Sequence, residues 1–434
     1  MAGRLAKGGA GVAATKVIST LLSLIVAVVL ARMLGPNGYG VYAYVFTLVL
    51  ILAIPAQLGM SRLVIRETTK ADTHQKWGAM LGLWRWSSKL TMILSSTIVA
   101  LALAILLLTD FSLNSIELKT AVWGLFLIPF FSLASLRGAA LQGLRRVVLG
   151  QLPESIIRPV LFLFFLGLLS WWQLGQLTSD VAMAMQLLSA LLAFIFGAWI
   201  LLRARPDNVR SGLEPVYHSR QWFMAAWPMA VLTGMQQING YADLIILGFF
   251  VSAEDIGVYR VAMQGGLLIA FGLQTVVMFV SPYFAQLNET GDLQRLRKLM
   301  IISARVSFVV GFPLLVVYCF WGSEILHYVF GEKYVSGYWP LVILSFGQLL
   351  NALFGPVGLL LNMTGHERDA MRDVMIAATC NIVLNLILIP DFGKEGAAMA
   401  TAITMLIWNV LLWSSVRNRL GFNCFAFMSL AVRK

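Results

Sequence analysis

Twelve apolar runs, most of them close to the ~20 residues that a bilayer-spanning helix needs, follow one another along this chain of 434 residues. They lie near 12–33, 39–59, 88–109, 120–140, 153–172, 180–202, 222–249, 256–285, 303–322, 338–362, 374–390 and 395–416. Inside hydrocarbon the backbone must satisfy its own polar groups, so only helices or closed barrels can cross, and runs of this length mean helices. Composition excludes the soluble alternative. The hydrophobic fraction is 59%, the charged fraction 12% and the mean hydropathy +0.81, against ~45–50% apolar and ~25% charged in a soluble domain. The expected fold class is therefore all-α integral membrane, with about 12 transmembrane helices.

Arg4 and Lys7 before the first apolar run could mimic a secretory signal. The run from Val12 to Leu30 is too long for a signal core, no small-residue cleavage site follows, and a second span begins at once. Orientation comes from the loops. One side, with both termini, carries 26 of the 32 Lys and Arg, including Arg62, Arg66, Lys70 and Lys76, then Arg203, Arg205 and Arg210, then Arg295, Arg297 and Lys298. The other side holds Arg32, Lys119, Arg260, Lys333 and Lys394, and Arg158 falls inside a span. Positive residues gather in the cytoplasm, so both termini are expected there, in a plasma (inner) membrane. The same bias accounts for the net charge of +12, and no nucleic-acid partner is implied.

Gly40-Val41-Tyr42 recurs as Gly257-Val258-Tyr259, 217 residues on, at half the chain length. Adding 217 carries spans 1, 2 and 3 onto spans 7, 8 and 9. Six helices per half put both halves into the membrane in one orientation, as two parallel repeats around a central cavity. The expected organisation is a six-helix bundle over 1–203, a cytoplasmic linker over 204–220, a second bundle over 221–416 and a cytoplasmic tail over 417–434. Gly38 and Gly40 suit a tight outer turn between the first two spans.

The stretch LARMLGPNGYGVYAYVFTL, Leu30 to Leu48, resembles the first hairpin of oligosaccharide flippases of the polysaccharide transporter family. NIVLNLILIPDFGKEGAAMATAI, Asn381 to Ile403, is similar to that family's pattern in its last two spans, and the turn GHER at Gly365 fits it too. The family belongs to the multidrug/oligosaccharidyl-lipid/polysaccharide exporter superfamily. The resemblance implies twelve helices in two bundles and export of a polyprenyl-diphosphate-linked oligosaccharide by alternating access.

Polar residues inside apolar spans are costly and are the first candidates for function. Lys16, Ser19, Thr20 and Ser23 share one face of span 1, and Thr233, Gln236, Asn239 and Asp243 one face of span 7, with Gln237 beside it. Lys16 has a second reading, as a side chain snorkelling to the interface. The serines and threonines read equally as hydrogen-bonding partners between helices. Glu154 and Arg158 are four residues apart and form a candidate ion pair within span 5. Arg260 and Gln264 share a face of span 8. Asn381 with Asn385, and Gln348 with Asn351, read as interhelical hydrogen-bonders. Trp171, Trp172, Trp321 and Trp339 are expected at one interface, and Trp84, Trp86 and Trp222 at the other.

A lipid-linked oligosaccharide presents a diphosphate and many hydroxyls. Lys16, Arg158 and Arg260 are the candidate cations for the first. Gln236, Gln237, Asn239 and Gln264 are the candidate amides for the second. Asp243 is the candidate ion-coupling carboxylate. A cation-coupled multidrug antiporter would need an acidic cavity, and spans 1 to 4 hold no carboxylate away from their ends. A flippase for a lipid-linked peptidoglycan precursor is a second alternative. No long outer loop carries catalytic carboxylates, and no Gly-rich loop ends in Lys-Ser or Lys-Thr, so neither an enzyme nor an ATPase is expected. Cys319, Cys380 and Cys424 and the four histidines show no metal spacing, so no cofactor or metal is expected. The expected partners are the lipid-linked oligosaccharide, the bilayer and polysaccharide polymerase machinery.

Overall fold

The computed structural model describes residues 2–108, 115–171, 177–206, 214–423 and 425–427. Asp207, Asn208 and Arg210 of the linker, Trp172, Cys424 and 428–434 of the tail lie outside them, as do the side chains of Arg4 and Lys7. The described residues form helices joined by turns, with no strand among them. The longer helices are α1 (Ala2–Gln57), α2 (Met60–Thr73), α3 (Trp77–Leu108), α4 (Ile116–Leu125), α5 (Leu127–Gly143), α6 (Val147–Leu152), α7 (Arg158–Trp171), α8 (Ser179–Ala204), α9 (Ser219–Phe250), α10 (Ala253–Glu289), α11 (Leu293–Ile325), α12 (Tyr338–Phe354), α13 (Val357–Met363) and α14 (Glu367–Leu420). A single π-helical turn, Pro153–Ile157, joins α6 to α7. Nine helical segments among the described residues are long and apolar enough to cross a membrane. The all-α membrane architecture read from the apolar runs is borne out.

Two of the helices break at a glycine, and α11 is kinked at Trp321. Gly35 (φ 67°) breaks α1 between the first two expected spans, and Gly393 (φ 56°) breaks α14 between the last two. Both need the left-handed backbone that glycine adopts freely. The expected outer turn at Gly38 and Gly40 is thus made at Gly35. Gly40 serves close packing instead. A Cβ there would overlap the carbonyl of Ala253, and a Cβ on Gly257 would overlap the carbonyl of Pro36. The two copies of Gly-Val-Tyr therefore begin with glycines that bring two backbones into contact.

Residues 61–87, expected as a cytoplasmic loop, are largely helical. Arg62, Arg66 and Lys70 recur every four residues along α2, while Met60, Leu63, Val64, Thr68 and Ala71 are buried. That is an amphipathic helix with a cationic stripe. It buries its apolar face on Leu81, Trp84, Leu136, Ala140 and Trp222. Trp84 and Trp222 are 8% and 6% exposed, so they belong to this core rather than to an interfacial belt. Trp84 donates its indole hydrogen to Thr68 Oγ1 at 2.9 Å, which removes the need for an interfacial partner. Trp171, Trp321 and Trp339 are exposed as a belt requires.

The chain clusters into two compact units. One comprises Met1–Leu34 and Val41–Gln237, the other Gly35–Gly40 and Ile238–Lys434. The division falls inside the continuous helix α9, between Gln237 and Ile238. Gly59 shows why the first half of α9 belongs with the first unit. At φ 63° it turns the chain from α1 into α2, and a Cβ there would overlap the backbone of Met229 and Ala230.

Candidate functional site

That close approach at Gly59 frames a polar cavity within the first unit. The end of α1 supplies Leu50, Ile54 and Gln57, the start of α2 Ser61 and Arg62, α5 Ser135, and α9 Ala230, Thr233 and Gln237. Its volume is about 180 Å3. Ser61 and Ser135 share a 2.7 Å hydrogen bond, and Arg62 Nη2 donates to Gln236 Oε1 at 2.9 Å. The Thr233 hydroxyl is buried and has no hydrogen-bond partner among the described residues. Such a group is unsatisfied unless water or ligand meets it. No carboxylate lines this cavity. Its wall holds one guanidinium, two amides and three hydroxyls. It can take an anion and hydrogen-bond a polyol, and it offers no charge to an organic cation.

Gln236, Gln237 and Thr233 therefore lie together, as their spacing in span 7 implied. Lys16 does not share a hydrogen bond or ion pair with them. It is exposed on α1, and among the described residues its ammonium has no ion pair. The hydroxyls on its face bond within α1, Thr20 to the Lys16 carbonyl at 2.9 Å and Ser23 to the Thr20 carbonyl at 2.8 Å.

Arg158 stands in a second cluster of the same unit. Its Nε lies 3.5 Å from Glu154 Oε2, and its guanidinium stacks on the Phe131 ring at 4.6 Å. The ion pair foreseen between Glu154 and Arg158 is present. It also has a third member. Arg137 Nη2 donates to Glu154 Oε1 at 3.2 Å, and Nη1 donates to the carbonyls of Phe194 at 2.9 Å and Ala193 at 3.3 Å. Arg137 is 5% exposed. Its guanidinium lies where a Cβ on Gly197 would be. An isolated buried guanidinium costs several kcal/mol. Three acceptors and the face of Phe194, at 5.6 Å, offset that cost.

The second unit holds Asp243, 4% exposed. Its carboxylate accepts from the Tyr259 hydroxyl at 2.6 Å, from the Leu244 amide at 2.8 Å and from Thr401 Oγ1 at 3.5 Å. Arg260, half-buried, lies near Tyr39 and Asp243. Asn239 and Gln264 are half-buried. Of the expected interhelical partners, Asn381 and Asn351 bond between helical segments, whereas Asn385 donates to the Asn381 carbonyl at 2.8 Å and to Asn381 Oδ1 at 3.1 Å within its own segment. Asn381 donates to Thr404 at 3.3 Å, and Asn409 donates to Asn351 Oδ1 at 3.0 Å.

Residues 5–288 match the family described as polysaccharide biosynthesis protein. The chain belongs to that family. Across 94% of its length it is 26% identical to a protein of Haloferax volcanii named "Probable flippase AglR", 82% of which is covered. Its fold is similar to that of the lipid II flippase MurJ in an inward closed conformation, with a TM-score of 0.75 at 14% identity over 93% of this chain and 86% of that one. An inward-facing multidrug transporter of the MATE family gives a TM-score of 0.72 at 14% identity, over 93% and 94%. At such identities the two structures speak for the fold alone.

Within this family member, sequence reasoning missed Arg62 and Arg137 as site residues. Arg62 reads as one cation of a cytoplasmic cluster, because nothing in the spacing shows that α2 turns back toward α9. Arg137 sits near the end of the expected fourth span, where position alone makes it an interfacial cation. Its neighbour in space, Glu154, is 17 residues away in another helix, and no periodicity links the two.

Proposed function

We propose that this protein is a flippase that moves a polyprenyl-diphosphate-linked oligosaccharide, the repeat unit of a cell-surface polysaccharide, to the outer leaflet by alternating access. The carboxylate-free cavity of Arg62, Gln57, Ser61, Ser135, Thr233 and Gln237 carries the reading. Arg62 supplies a fork for phosphate, and the amides and hydroxyls supply partners for sugar. Family membership and a likeness to AglR along nearly the whole chain support it. In the first unit Lys16 and Arg158 are proposed as further diphosphate contacts, and Gln236 as a sugar contact. In the second unit Arg260, Asn239 and Gln264 are proposed as polar contacts, and Asp243 as the coupling carboxylate. Both termini are proposed to be cytoplasmic in a plasma (inner) membrane. A cysteine placed at Lys76 should then resist a membrane-impermeant thiol reagent in intact cells, and labelling there from outside would reverse the orientation.

The test is flipping of a polyprenyl-diphosphate oligosaccharide in proteoliposomes. Losing a charge-assisted bond to phosphate costs about 1.5–3 kcal/mol, a ten- to hundred-fold loss of binding. Arg62→Ala with Gln237→Ala should slow flipping by that order at unchanged protein level. Wild-type rates in that double variant would remove the cavity from the reading. Export of organic cations by the native protein, with no movement of lipid-linked sugar, would instead establish the multidrug antiporter. Movement of a lipid-linked peptidoglycan precursor alone would assign the substrate to cell-wall synthesis.

A further inference from the structure

A second cavity in the first unit, about 390 Å3 in volume, is lined by basic side chains. Arg66, Lys70 and His74 come from α2 and its end, Lys76 from the turn into α3, and His218 from the start of α9. The volume falls within the range of sites for small molecules, roughly 300–1,000 Å3. Glu67 is the one carboxylate in the wall, and it is shared between Arg66 at 2.9 Å and Lys70 at 3.1 Å. Lys76 has no acidic partner among the described residues. Three formal cations therefore face one carboxylate. The floor is apolar, made by Ala71, Ala79, Leu83 and the buried Trp222, whose ring meets the His218 ring edge-on at 5.8 Å.

Two simpler explanations cover only part of this arrangement. Lys70 complements the C-terminal end of the α2 dipole. The positive-inside rule explains cations on this side of the membrane, but it spreads them over loops and does not gather them around one cavity. Lys76 and His218 belong to different segments, and the backbone joins those segments here, Val216 donating its amide to the Gly78 carbonyl at 2.9 Å.

We infer that this basic cavity is a binding site for a phosphate-bearing anion, separate from the cavity of Arg62 and Gln237. Arg66 offers a planar fork and the lysines offer point charges, the two donor types that recognise phosphate. The ligand is either the headgroup of an acidic phospholipid or a soluble phosphate or diphosphate. The inference stands apart from the transport reading, because it is tested by binding alone.

The experiment uses the full chain in phosphatidylcholine nanodiscs. Inorganic diphosphate is titrated by calorimetry, and retention of phosphatidylglycerol against phosphatidylcholine is measured by native mass spectrometry. Saturable binding of diphosphate, selective retention of phosphatidylglycerol, or both is expected, and the arm that responds names the source. Lys70→Gln with Lys76→Gln should lower that binding at least ten-fold. Lys76→Gln alone, at an exposed position without an ion pair among the described residues, should lower it measurably and secures the test if the double variant does not fold. Arg146→Gln, a cation outside the cavity, should leave it unchanged. Binding of neither probe, native affinity in the lysine variants, or an equal loss with Arg146→Gln would overturn the assignment.

Discussion

The hydroxyl of Tyr259 donates a 2.6 Å hydrogen bond to the carboxylate of Asp243, sixteen residues away across the turn from α9 into α10. Tyr259 is the tyrosine of the second Gly-Val-Tyr, and its side chain is fully buried. The recurring tripeptide therefore ends, in this half, on the partner of the proposed coupling carboxylate. Tyr42, its counterpart, stacks on Phe46 at 5.9 Å and Phe162 at 6.3 Å instead. Tyr259→Phe removes one bond to a buried carboxylate, and the expected loss is about 1.5–3 kcal/mol. Chemical unfolding of the purified protein in detergent measures it. Asp243→Asn should abolish the pH dependence of flipping in proteoliposomes; an unaltered pH profile and rate would show that Asp243 is structural.

Arg137 and Glu154 should behave as one unit. Removing one partner of a buried pair leaves the other charge uncompensated, at about 3–5 kcal/mol. Glu154 is 26% exposed, so solvent lowers the figure for Arg137→Ala toward the bottom of that range. The double variant Arg137→Met, Glu154→Gln should be more stable than either single variant predicts by addition. Strict additivity in thermal unfolding would mean that the two residues do not interact. Arg158→Ala leaves Arg137 in place and should disturb stability less than Arg137→Ala.

Gly40 and Gly257 should not accept a methyl group. Each would drive a Cβ into a backbone carbonyl, of Ala253 or of Pro36, that cannot rotate away as a side chain would. Overpacking of this kind costs about 1–3 kcal/mol, and more where backbone must move. Gly40→Ala and Gly257→Ala should each lower the yield of folded protein in size-exclusion chromatography. Gly167→Ala in α7, where nothing lies within 4 Å of the added methyl, should fold as the native chain does. Equal yields of all three would show that the contact between the two turns is dispensable.

What the sequence decided by itself is what depends on neighbours along the chain. Apolar run length marked a helical membrane protein, because the bilayer leaves an unpaired backbone no alternative. The four-residue spacing placed Glu154 against Arg158, since side chains at that interval share one helix face. The same rule gathered Thr233, Gln236 and Gln237 on span 7, and the resemblance of Leu30 to Leu48 pointed to the family. The tertiary structure decided what depends on residues far apart in the chain. It brought Arg62 to Gln236 across 174 residues and Arg137 to Glu154 across 17. It buried Trp84 and Trp222 in a core, although their positions near span ends fit an interface equally well. It made the first turn at Gly35 and set Gly40 against Ala253, more than 200 positions on. Periodicity records which face of a helix a residue occupies. Only packing decides what that face meets.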